Sequence, residues 1–173
     1  DLGVHSEVST PGMNDLVYRG VITGSRKNVH PGRFVATALT AGTPDEMEFI
    51  HENPIYEVYE VHYTNDIAVI AAHDNMVAIN NALRVDLTGQ VVADSFGPQM
   101  FTGTGGLPEY AIASVYSKGG RSIIVLPSVT SDGKISRIVP LIEEGSFITS
   151  PRQFTDYVVT EYGLINLKGK STW

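Results

Sequence analysis

Two stretches of this chain hold residue types that acyl chemistry uses: the glycine-rich run Gly103-Thr104-Gly105-Gly106 and, near the start, Asp1-Leu2-Gly3-Val4-His5-Ser6-Glu7. A glycine-dense loop leading into a helix can aim bare backbone N–H groups at an oxyanion, and a carboxylate elsewhere can attack the carbon that bears it. A glutamate nucleophile is ionised at neutral pH and needs no separate base. Its low basicity is offset by orientation, by exclusion of water and by donors to the developing oxyanion, each worth about 3 to 4 kcal/mol of barrier. By itself the glycine run is equally a tight connection between strand and helix. It lacks the third glycine of the dinucleotide fingerprint, and the chain has no Gly-Lys-Ser/Thr of a nucleotide-triphosphate loop.

The other candidates are individually ambiguous. Glu7, taken alone, is an ordinary surface glutamate by residue type. Glu161 directly follows Tyr157-Val158-Val159-Thr160, and strand ends in α/β sheets face the crevice where ligands bind, although a glutamate opening a turn has the same sequence. Lys118, Arg121, Lys134 and Arg137 form a local positive excess suited to the phosphates of a nucleotide-bearing cofactor, or simply surface charge. Histidines at positions 5, 30, 51, 62 and 73 have no ligand-pair spacing and no cysteine beside them, so no metal site is expected. His5-Ser6-Glu7 matches the first half of a zinc-deaminase motif, but the cysteines that complete such a motif are missing.

Composition narrows the class of protein. A chain of 173 residues with 42% hydrophobic and 18% charged residues can bury a core as one globular domain. Its formal charge of −7 argues against nucleic acid and anionic membrane as partners. No apolar run reaches bilayer length, the first residues carry no signal pattern, and cysteine is absent; together these suit a soluble, cytoplasmic protein. Both ends fall inside element-like sequence, which reads as a fragment of a longer chain.

The elements that must position these groups alternate between strand-like and helix-like patterns, so the expected fold is α/β with a mixed sheet. Thr10-Pro11 starts a helix of about two turns with Met13, Leu16 and Val17 on one stripe. Arg33 to Leu39 reads as a buried strand, Thr43-Pro44-Asp45-Glu46 as a capping box before a helix through Ile50, and Ile55 to Val61 as a strand. Asn65-Asp66 caps a helix from Ile67 to Ala71. Met76 to Val85 and Gln90 to Ala93 read as a hairpin around Gly89, Pro108 to Tyr116 as a helix closed by Gly119-Gly120, and Ser122 to Leu126 as a buried strand. Ile135 to Val139, Phe147 to Thr149 and Tyr157 to Thr160 complete the expected strands.

Eight blocks carry a resemblance. They are Leu2-Gly3-Val4-His5-Ser6-Glu7-Val8, Tyr63-Thr64-Asn65-Asp66, Asp74 to Asn80, Asp86-Leu87-Thr88-Gly89-Gln90-Val91, Gly103-Thr104-Gly105-Gly106, Ser117-Lys118-Gly119-Gly120, Lys134 to Pro140 and Val159-Thr160-Glu161-Tyr162-Gly163. In this order they closely resemble the C-terminal domain of the acetyl-CoA hydrolase/transferase family, above all its 4-hydroxybutyrate and butyrate:acetate CoA-transferases. Val129 to Gly133 departs most from the family pattern.

The resemblance implies a CoA-transferase-like α/β/α domain over residues 1–173, with an N-terminal domain of similar fold outside this chain and a homodimeric assembly. It implies coenzyme A as a substrate, acyl-CoA and a short-chain carboxylate as partners, and no prosthetic group or metal. Glu7 matches the family's nucleophilic glutamate, which forms an acyl anhydride and then a glutamyl–CoA thioester. Gly105 and Gly106 match the loop that supplies an oxyanion N–H, Asn65 an asparagine that helps hold the glutamate, and Glu161 a second polar residue of the pocket. Thr102 and Lys134 fall near positions that contact CoA. An acyl-CoA hydrolase, or a CoA-binding module without catalysis of its own, are the alternative readings.

Overall fold

The structure, a computed structural model, describes residues 1–171, which divide into two compact units meeting at Asp74–Asn75. The first unit contains β1 (Val4–Val8), α1 (Pro11–Tyr18), β2 (Phe34–Ala38), α2 (Pro44–Ile50), β3 (Tyr56–Val58), α3 (Val61–Thr64) and α4 (Ile67–Ala71). Its three strands are parallel, with β2 in the centre. Successive residues of a strand face opposite ways. Phe34 and Ala36 therefore join Val17 and Ile22 in a core that Met13, Leu16 and Phe49 of α1 and α2 complete. On the opposite face Thr37 meets Thr64 of α3, with their hydroxyl oxygens 2.5 Å apart.

The local signals for α1 and α2 act as expected. Pro11 opens α1 after an extended Thr10, and Thr43 Oγ1 accepts the Glu46 N–H at 3.2 Å. The return arm of the capping box is displaced by one residue, because the Glu46 carboxylate takes the N–H of Gly42 instead of Thr43. The strand expected over Ile55 to Val61 ends at Val58 instead. Its aromatic and branched residues suit a strand locally, but Tyr59 N–H makes the last bond to β2, at Ala36 O, and the chain then turns into α3 to cover the sheet.

The second unit contains β4 (Val77–Asn81), β5 (Arg84–Asp86), β6 (Val91–Val92), β7 (Ser95–Phe96), β8 (Gln99–Met100), α5 (Leu107–Tyr116), β9 (Arg121–Val125), β10 (Ile138–Val139), β11 (Tyr157–Thr160) and β12 (Gly163–Asn166). Its main sheet runs β12-β11-β9-β4: the last three named are parallel, and β12 returns antiparallel after the turn Glu161-Tyr162. A smaller sheet runs β10-β5-β6, and β7 pairs with β8. Ile124 and Val158 of the main sheet pack with Leu107 of α5 and with Val85 and Val91 of the smaller sheet. The segment expected as one strand from Met76 to Val85 is split, since Ala82 and Leu83 carry the chain from one sheet to the other. Ile135 to Arg137 lie outside β10: Thr130 N–H bonds Ile135 O across a turn with Gly133 at φ 72°, and Arg137 N–H bonds Ser128 O. Phe147 to Thr149 are not a strand; they reach β6 only through single bonds such as Thr149 N–H to Val91 O.

Between β5 and β6 the buried Asp86 carboxylate organises the turn. It accepts the N–H and hydroxyl of Thr88, the N–H and side-chain amide of Gln90, and the N–H of Ile142. Burial opposes its ionisation, yet these donors together hold its acidity below the ordinary aspartate value. A depressed folded value stabilises the protein above the unfolded aspartate value and loses that contribution as pH falls below it. Asp86→Ala is therefore expected to cost about 2–4 kcal/mol in urea unfolding at pH 7, with a smaller difference from wild type at pH 3.

Candidate active site

Strand alternation in β1 sets the first unit's polar cluster. Val4 joins the apolar core, so His5 and Glu7 point to the face that α3 covers. Asn65 caps the end of α3, and the next residue, Asp66, caps the start of α4 by accepting the Val69 N–H at 2.9 Å. Helix signals on both sides thus fix a short junction. From it the Asn65 side-chain N–H donates to Glu7 Oε2 at 2.6 Å, while Asn65 Oδ1 accepts the Thr64 hydroxyl at 3.3 Å. No described residue donates to Glu7 Oε1, so one carboxylate oxygen is held and the other remains open.

His5 braces the same junction from below. Its Nε2 lies 2.8 Å from the carbonyl of Thr64. A carbonyl only accepts, so Nε2 carries the proton. Burial pushes the His5 imidazole down to about 4, aided by the positive character of His73, Lys27 and His30 and opposed by the Thr64 bond. Neutral at pH 7, it serves as a fixed donor. The same surroundings hold Lys27, which burial lowers to about 8 against the pull of Glu57; its ammonium donates to Val4 O at 2.7 Å and Arg33 O at 2.9 Å. Lys27 passes so close to Gly3 that a side chain there would meet Lys27 Cγ at 2.3 Å. Neither His5 nor Thr64 was singled out from the sequence as a site residue. The two-residue spacing of His5 and Glu7 and the adjacency of Thr64 to Asn65 are the signals that could have found them.

The second unit holds the remaining candidates. Asp94 O accepts the N–H groups of Phe101 and Thr102, fixing the entry to the glycine run. Gly105 then adopts φ 56°, and Gly106 forms the cap of α5 with Pro108 in its first turn. No described residue accepts a hydrogen bond from the N–H groups of Gly103 to Gly106, and a Cβ at Gly103 or Gly105 would meet open space. Gly105 is thus demanded by its left-handed backbone, not by crowding. Thr102 is exposed beside this loop, and Lys134 lies on an exposed turn with its ammonium 3.9 Å from Asp132. Glu161 sits in the turn after β11. Its oxygens accept the hydroxyl and N–H of Ser128 at 2.5 and 2.8 Å, and those two bonds hold the exposed carboxyl below the usual glutamate value. The structure therefore brings Glu7 and Asn65 into contact in one unit and places Thr102, Gly105, Gly106, Lys134 and Glu161 in the other. Among the described residues, no three His, Asp or Glu side chains converge as a metal site, and no helix is long and apolar enough to cross a membrane.

The fold is shared with solved structures. RipA from Yersinia pestis superposes with a TM-score of 0.89 at 42% identity, over 99% of this chain and 38% of that one. The 4-hydroxybutyrate CoA-transferase of Porphyromonas gingivalis gives 0.83 at 36%, over 99% and 39%. In sequence, the chain is 45% identical to the 4-hydroxybutyrate coenzyme A transferase of Clostridium kluyveri, covering 99% of this chain and 40% of that protein. Residues 42–173 match the acetyl-CoA hydrolase/transferase C-terminal domain. The chain belongs to the acetyl-CoA hydrolase/transferase family, and it spans about 40% of the length of the C. kluyveri relative.

The neutral His5 has a measurable consequence. Burial also lowers His73, so both imidazoles take up protons on unfolding at mildly acid pH. The stability that His5 contributes is complete above about pH 6.5 and is lost as pH falls from there toward about 4, and the lowered His73 acts in the same direction. Unfolding free energy measured across this range is expected to fall more steeply for the wild type than for His5→Leu, by up to about 1.4 kcal/mol per pH unit.

Proposed function

We propose that the complete protein, of which this chain is the C-terminal part, transfers CoA between an acyl-CoA and a short-chain carboxylate, with Glu7 as the covalent nucleophile. The observation that carries this reading is the Asn65–Glu7 hydrogen bond, which fixes one carboxylate oxygen and leaves the other open for attack. Family membership and the CoA-transferase names of the relatives support it.

In the first step Glu7 Oε1 attacks the thioester carbonyl carbon. The carbonyl oxygen becomes an oxyanion, and collapse expels CoA thiolate and leaves an acyl–glutamyl anhydride. The thiolate then attacks the glutamyl carbonyl, forming the glutamyl–CoA thioester and releasing the first acid as its carboxylate. An incoming carboxylate reverses the sequence, with no net proton consumed. Backbone N–H groups of Gly105 and Gly106 are the donors assigned to the oxyanion, Thr102 and Lys134 those assigned to CoA. Glu161 acts as a polar member of the pocket through its fixed pairing with Ser128. Asn65 orients the nucleophile, and orientation is the main resource of a weakly basic attacking group.

Peptide mass spectrometry after mixing the complete enzyme with an acyl-CoA is expected to find the CoA adduct, or its hydroxylamine-trapped derivative, on Glu7. An unmodified Glu7 during normal turnover would overturn the mechanism. Glu7→Gln is expected to lower kcat by about a thousandfold or more. Asn65→Ala should reduce kcat by about 10- to 100-fold with a smaller change in KM for acyl-CoA, because it misplaces the nucleophile without removing it. Turnover that rises with added acetate is expected of a transferase and not of a hydrolase.

A further inference from the structure

Glu57 stands in the middle of β3 on the same sheet face as His5, in one row with it across Val35 of β2. A half-buried carboxylate on a covered face needs donors, and it has three: His30 Nδ1 at 3.0 Å, Arg33 Nε at 3.2 Å and the Tyr59 hydroxyl at 3.2 Å. A carboxylate only accepts, so His30 Nδ1 carries a proton. The other ring nitrogen, Nε2, lies 2.6 Å from the Tyr63 hydroxyl, and in the neutral imidazole it accepts that O–H. His30 reaches both partners from a backbone at φ 49°, a left-handed conformation that few residues other than glycine adopt. Such strain persists only where the surroundings over-determine it. Here Glu57 and Tyr63 grip the two sides of the ring.

This chain of hydrogen bonds ends on α3. The helix is a single turn of four residues, too short to be stable by itself, so its side chains must hold it in place. Thr64 is anchored through its carbonyl to His5 and through its hydroxyl to Thr37. Tyr63 supplies a further anchor, with its hydroxyl on His30 and its ring against that of Tyr59, 4.8 Å between centroids. Two residues beyond Tyr63 stands Asn65, whose amide holds Glu7 Oε2. We infer that Tyr63 is a positioning residue: the Glu57–His30–Tyr63 chain locks the turn of α3 so that the Asn65 amide meets the Glu7 carboxylate. Its weight in turnover rests on the proposed role of Glu7 as nucleophile. The phenol is the link that can be cut most cleanly, since phenylalanine keeps the ring contacts and loses only the hydroxyl.

The test uses the complete enzyme. Tyr63→Phe is expected to lower kcat about 5- to 20-fold with KM for acyl-CoA within about twofold, because orientation is lost and binding is not. His30→Asn tolerates a left-handed backbone but cannot span Glu57 and Tyr63, so it should give a similar loss. In an Asn65→Ala background, Tyr63→Phe should cost less than about twofold more, since both substitutions act on one contact. A readout free of turnover is the side-chain amide resonance of Asn65, followed by NMR with asparagine-selective isotope labelling, which should shift in Tyr63→Phe. A full, additive loss on top of Asn65→Ala would overturn the inference. So would an Asn65 amide that does not move, or a rise in KM for acyl-CoA with kcat unchanged. Absence of a Glu7 adduct would sink the transfer mechanism, while the amide resonance would still decide whether Tyr63 holds Asn65.

Discussion

The hydrogen bond from His5 to the carbonyl of Thr64 ties a strand to the helix junction above it, and the placement of the Glu7 carboxylate depends on that tie. Because β1 alternates, the residue that makes the bond and the residue that carries the carboxylate share a face. Because α3 ends immediately beyond Thr64, the bonded carbonyl and the orienting amide of Asn65 belong to neighbouring residues. The polar groups beneath are kept uncharged or paired: His5 is held neutral by burial, and Glu57 engages His30 and Arg33. A charged imidazole at this depth would bring positive charge close to Lys27 and disturb the support. Here the geometry around Glu7 and the acid stability of the unit draw on the same desolvation.

Much of the fold was legible where local chemistry and tertiary demand agree. Thr10-Pro11, Thr43 to Glu46 and Asn65-Asp66 are helix starts written in capping residues, and each begins a helix in the structure. Phe34 to Ala36 and Ser122 to Val125 are short, apolar and central in their sheets, so their strands were equally plain. Legibility failed where pairing partners decide. Val61 reads as strand by residue type but turns into α3, and the two-residue strands β7 and β8 are too short to leave a periodic trace. Gly163 to Asn166 is a strand only because the turn at Glu161-Tyr162 folds it back on β11.

The candidate site was legible through resemblance more than through residue physics. Nothing in composition separates Glu7 from eighteen other acidic residues of the nineteen in the chain; what distinguishes it is contact with Asn65, fifty-eight positions away. The glycine run could be read directly, since a left-handed Gly105 before a helix start is a local property. Arg137 was visible only as one of several basic residues. Its apolar neighbours Ala82, Leu83, Ala93 and Pro127 come from the segments that follow β4, β6 and β9, a juxtaposition that no local pattern records.

Ser128 joins two of these features. Its side chain and N–H are bound to Glu161, and its carbonyl is bound to the N–H of Arg137. The tip of the β11–β12 hairpin, the exit from β9 and the peptide carrying the guanidinium are therefore strung on a single residue. Such a knot damps independent motion of the three segments, so the rim of the second unit's sheet should breathe as one piece, with the Ser128 and Arg137 amides exchanging with solvent at a common, slow rate.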